Sequence, residues 1–155
     1  MDYVDGKTAL LLSSAMACEI MQMIISNSLD KYSGISDQHF GKLSYELGEL
    51  KTSLVKSIRV NKENHLFSLI ENGYICKRLI KIASLLKNNS DSRLNEDLQI
   101  ALNLSRLSLN GLISLLKNEL RLIKDGQIKN EIESSIESLL EEDEFYKKLM
   151  DSPDY

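Results

Sequence analysis

The chain has 155 residues, 43% of them hydrophobic and 27% charged, within the range of a single globular domain and outside that of a disordered one. Its formal net charge of −4 and pI of about 5.3 argue against a dedicated duplex-DNA binder, in which Lys and Arg neutralise phosphates. Seven Gly and a single Pro, Pro153, leave too little turn chemistry for a sandwich or barrel, so the sequence predicts an all-α domain.

In chain order, the first expected helix runs from Thr8 to about Asp30. Through Ile25 it is apolar on nearly every face, so neighbouring helices or a second subunit must enclose it. The run Ala9–Ile25 is short for a bilayer and is interrupted by Ser13, Ser14, Glu19 and Gln22, and no basic leader precedes it. It is therefore read as the central helix of a cytoplasmic protein with no membrane partner. Tyr32 to Ser36 reads as a loop, with Asp37 as the expected N-cap of a second helix. That helix aligns Phe40, Leu43, Leu47, Leu50, Leu54 and Ile58 on one stripe, and the pattern is expected to continue to about Glu71, where Asn72-Gly73 would stop it. Gly41 and Gly48, seven apart, each cost about 1 kcal/mol relative to Ala in a helix, and close approach of another helix is one explanation.

A third helix, about Tyr74 to Lys87, is expected to bury Ile75, Leu79, Ile82 and Leu86 and to turn Lys77, Arg78, Lys81 and Lys87 to its other sides. A Leu-rich fourth helix is expected from about Arg93 to Lys124. A fifth, about Gln127 to Met150, would place Ile128, Ile132, Ile136, Leu139 and Leu140 inward beneath an acidic solvated face. The expected architecture is an up-and-down bundle of about five helices spanning residues 1–150, with 151–155 as a frayed tail. The all-round apolar first helix predicts a homodimer. Cys18 and Cys76 read as reduced core thiols, and no zinc spacing occurs. His39 and His65 have no ligand partner in local register, and His65 is expected to face solvent. Gly6-Lys7-Thr8 lacks the first glycine and preceding strand of a phosphate loop.

Order, spacing and residue type over most of the chain resemble the formiminotransferase-cyclodeaminase C-terminal domain family, which includes methenyltetrahydrofolate cyclohydrolases. Gly6-Lys7-Thr8-Ala9 leads into Ser14-Ala15-Met16-Ala17-Cys18, followed by Ser26-Asn27 and Lys31-Tyr32, as the family's glycine turn leads into its apolar helix. Glu63 stands four before Phe67, where the family has an acidic residue before a Phe. Asp97 matches the Asp of an Asn-x-x-Ser-Asp pattern, and Ile123-Lys124-Asp125 follows at the family's spacing. Arg93 and Glu96 replace the Asn and Ser of that pattern, while Leu115 and Glu119 fall where the family carries asparagines on the long helix.

The resemblance implies a one-carbon tetrahydrofolate derivative as substrate or ligand, no metal, and either loss of ammonia to close the methenyl ring or hydration to reopen it. Glu63 and Asp97 would share the acid and base roles. Lys31 and Tyr32 would contact the ligand, Lys31 pairing with its anionic tail or stabilising an anionic centre, and Gly6 would admit backbone amides close to it. Each residue also has a plainer reading: Asp97 as a first-turn carboxylate favoured by the helix dipole, Glu63 as a surface acid and Lys31 as a loop cation. The alternative function is a catalytically silent bundle that acts as a subunit or adaptor for other proteins. An export chaperone of flagellar type would share the length, acidity and helical pattern, but not the register from Gly6 to Asp125.

Overall fold

The computed structural model describes residues 5–29, 35–59, 65–89 and 92–150. Five helices pack as a bundle: α1 (Gly6–Leu29), α2 (Ile35–Ser57), α3 (His65–Asn89), α4 (Asn95–Leu120) and α5 (Gly126–Met150). Helix α1 packs mainly on α2 and α4, α3 packs mainly on α4, and α5 rests chiefly on α3. Leu11, Met21, Ile24 and Ile25 of α1 are buried with Leu47 and Leu54 of α2, Leu79 and Ile82 of α3, and Leu109 and Leu112 of α4 in one continuous core. These positions recur at helical spacing, so each helix buries one stripe.

Helix α1 is long and apolar enough to cross a membrane by length and composition, and in the fold its inner face is covered by its neighbours. Among the described residues, nothing covers its outer face. Leu12, Met16 and Met23 are 47%, 57% and 44% exposed. Gln22 ties α1 to α2 by donating to the Ser44 carbonyl at 3.0 Å, and Lys51 of α2 pairs with Glu19.

The structure corrects several boundaries. Helix α2 begins at Ile35, so Asp37 lies inside its first turn and is not the cap. It ends at Ser57, with Ile58 and Arg59 donating to the Val55 and Lys56 carbonyls in a closing turn. Helix α3 then runs from His65 straight through Asn72-Gly73, which is not a stop. The reason is packing. At Gly73 the Leu139 side chain of α5 packs against the α3 backbone: a Cβ there would lie 2.9 Å from a Leu139 methyl, and Leu139 is fully buried. Asn72, also buried, donates to the Ser68 carbonyl one turn back at 2.7 Å, so its side-chain amide finds a partner without leaving the helix.

Helix α4 opens after a single 3-10 turn (Ser92–Leu94) and closes at Leu120, four residues short of Lys124. Gly111 near its middle makes room for Leu10 of α1, whose methyls would stand 2.5 Å from an added Cβ. One turn away, Ser108 Oγ lies 2.9 Å from the Leu10 carbonyl and 2.8 Å from the Leu104 carbonyl of its own helix, with one proton to share between the two acceptors. Among the described residues, Gly41 has open space around it and Gly48 meets the Gln22 side chain at 3.4 Å, so none of their helices approaches Gly41 closely. On α5, Ile132, Ile136 and Leu139 are buried as expected, whereas Ile128 and Leu140 are exposed, because α5 is gripped along the narrower seam with α3. Lys77 is the reverse case: expected outside, it is 6% exposed.

Candidate functional site

Three helix ends meet at one end of the bundle. Asp5 caps α1, its Oδ1 accepting from Thr8 N at 2.7 Å and its carbonyl from Ala9 N at 3.0 Å. The Thr8 backbone amide is the main reason the Asp5 carboxyl titrates below its ordinary value of 3.8, and the charges of Lys7 and His65 act in the same direction. Lys7, partly buried, has its ammonium pushed below its ordinary value by that burial, with Asp5 opposing. His65 opens α3 and places Nε2 3.7 Å from Glu119 Oε1 in the last turn of α4. The structure therefore brings Asp5, Lys7, His65 and Glu119 to one end of the bundle, and among the described residues Gly6 there faces open space.

The cap sets a pH prediction. A carboxylate held below its ordinary pKa adds stability above about pH 4, and that contribution disappears as pH falls through the lowered value. Asp5→Ala is expected to cost about 1 kcal/mol at neutral pH and less as pH falls through the lowered pKa of the carboxyl, read from urea midpoints at neutral and acid pH.

Of the residues singled out from sequence, Gly6 lies in this cluster. Asp97 does not: it sits half-buried in the first turn of α4. Along that helix it is roughly 33 Å from Glu119 at about 1.5 Å per residue. Within one chain Gly6 and Asp97 mark opposite ends of the bundle. Lys31, Tyr32 and Glu63 lie outside the described residues. Asp125 has a structural task, capping α5 by accepting from Gln127 N at 2.9 Å.

His65 and Glu119 were missed as a pair from sequence, where His65 was expected to face solvent. They are 54 positions apart, and only the antiparallel run of α3 against α4 joins them. Leu115 and Glu119 stand one turn apart on α4, so both replaced asparagine positions share a helix face. The two thiols are buried, free and unreactive in character. Burial pushes Cys18 and Cys76 up to about 12, although Ser14 at 3.3 Å partly counters this at Cys76. Among the described residues, no group of three or more His, Cys, Asp or Glu side chains converges as a metal site.

No protein-family model and no curated protein matches the chain by sequence. Its fold does match a solved structure. Formiminotetrahydrofolate cyclodeaminase from Thermotoga maritima superposes with a TM-score of 0.75 at 15% identity, over 94% of this chain and 84% of that one. The chain has a cyclodeaminase-like fold.

Proposed function

We propose that this protein is a divergent cyclodeaminase- or cyclohydrolase-type protein that binds, and acts on, a one-carbon tetrahydrofolate derivative in the cytoplasm. The observation that carries this reading is the likeness of nearly the whole chain to a formiminotetrahydrofolate cyclodeaminase. Loss of ammonia, or addition of water, at the one-carbon unit needs a proton donor and an acceptor beside it. In this reading Glu63 and Asp97 fill those roles, Gly6, Lys31 and Tyr32 contact the ligand, and no metal takes part.

The working unit we propose is a homodimer. The uncovered stripe of Leu12, Met16 and Met23 is centred on the middle of α1, and Val55 of α2, one turn beyond Lys51, is also exposed beside it. The Glu19–Lys51 pair makes that surface self-neutralising. A second copy laid antiparallel along α1 covers the stripe and sets the Asp5 end of one protomer against the Asp97 end of the other. The separation of Gly6 from Asp97 within one chain supports such sharing.

The test is hydrolysis of methenyltetrahydrofolate followed by its loss of absorbance, with calorimetric titration of a tetrahydrofolate derivative alongside. Turnover that falls about 100-fold or more in Asp97→Asn supports the reading. Binding without turnover leaves a folate-binding relative. Absence of heat at millimolar ligand favours the adaptor, and a monomer by sedimentation removes the shared site.

A further inference from the structure

Between Ala9 and Ser26 of α1 the exposed residues are Ala9, Leu12, Met16, Glu19, Met23 and Ser26, and every other position there is buried or half-buried. The steps between them are three, four, three, four and three, the spacing of a two-helix seam. The uncovered strip is thus one side chain wide and about 26 Å long at the helical rise.

This series reads the same from either end. It is symmetric about a point between Ala17 and Cys18, so an antiparallel second copy faces Leu12 with the partner's Met23, Ala9 with the partner's Ser26, and Met16 with the partner's Glu19. Large apolar residues meet each other, and so do the small ones at the two ends. A slip of seven residues in either direction leaves Leu12 or Met23 without a facing residue on the strip. The direction is decided by charge. A parallel copy would set Glu19 against the partner's Glu19 and align the two helix dipoles. In the antiparallel copy the two carboxylates stand roughly 4.5 Å apart along the axis, and each keeps the Lys51 ammonium of its own chain beside it.

We propose that this strip is an antiparallel two-fold seam between two copies of the chain, centred between Ala17 and Cys18, with the Glu19–Lys51 pair near its centre setting the direction. The inference rests on the homodimer of the proposed function and deepens it by giving the partner's direction and register. A surface that packs on its own copy must be complementary to itself, and this strip is so in spacing, in side-chain size and in charge. The charged pair in an otherwise apolar seam specifies the alignment, since a mispaired carboxylate costs more than a mispaired methionine.

The test combines sedimentation equilibrium of the intact chain with cysteine cross-linking under glutathione disulfide. Positions 12 and 23 are about 16 Å apart along one helix, so no link forms between them within a chain, and the parent, whose own thiols are buried, is the unlinked control. The expected result is a dimeric parent at roughly 100 µM, a disulfide-linked pair when Leu12→Cys is mixed with Met23→Cys, and no link in either variant alone. Glu19→Lys and Lys51→Glu, both at surface positions, are each expected to weaken self-association at least tenfold, and their equimolar mixture to associate again. A parent that sediments as a monomer overturns the homodimer and the seam together. A dimeric parent in which Leu12→Cys links to itself, or in which both charge reversals leave association unchanged, overturns the seam alone.

Discussion

Gly73→Val is expected to destabilise the protein by about 3 kcal/mol, in spite of placing a better helix former inside α3. An added Cβ stands 2.9 and 3.1 Å from the two Leu139 methyls, and valine puts two further carbons beyond it. Leu139 is fully buried, so it has no solvent-side rotamer to retreat into. The outcome is separation of α5 from α3, the helix that holds it. Urea unfolding measures the loss, and a companion variant identifies its cause. Leu139→Ala by itself leaves a cavity costing about 2–5 kcal/mol. Combined with Gly73→Val it is expected to cost at least 1 kcal/mol less than the sum, because each change accommodates the other. Additive costs, or a neutral Gly73→Val, would mean that Leu139 does not pack against the α3 backbone here.

Alkaline pH is expected to reveal the two core thiols. An exposed cysteine ionises near 9.0, whereas Cys18 and Cys76 are pushed up to about 12 by burial. Above pH 9 the unfolded chain releases protons that the folded chain keeps, so the thiols' contribution is complete below pH 9 and is lost as pH rises toward 12. The loss is on the order of 1 kcal/mol per thiol by pH 10. A Cys18→Ala, Cys76→Ala double variant is expected to lose roughly 2 kcal/mol less than the parent between pH 8 and pH 10, with denaturant midpoints as the readout. The same burial predicts no reaction of either thiol with Ellman's reagent in the folded state and reaction of both after unfolding. Rapid labelling of the native protein would show that α1 and α3 open locally around Ser14 and Cys76.

The sequence alone determined that this is an all-helical bundle of five rods with an unusually apolar first one, because a buried stripe must recur at the helical period and does so in Phe40, Leu43, Leu47 and Leu54. It also carried enough order and spacing to point to the cyclodeaminase fold. It did not determine where α2 ends. Asn72-Gly73 has the composition of a stop, and only the arrival of Leu139 from more than sixty positions away makes that glycine a helix-packing contact. The same limit applies to Lys77, buried because Ser138 offers it a carbonyl, and to His65 and Glu119, which become neighbours when α3 and α4 run antiparallel. Gly6 and Asp97 look like members of one site in a linear register, yet α4 holds them at opposite ends. Helical periodicity is a local property written every three or four residues, whereas a partner across the bundle is chosen by how whole helices align, and that choice belongs to the tertiary structure.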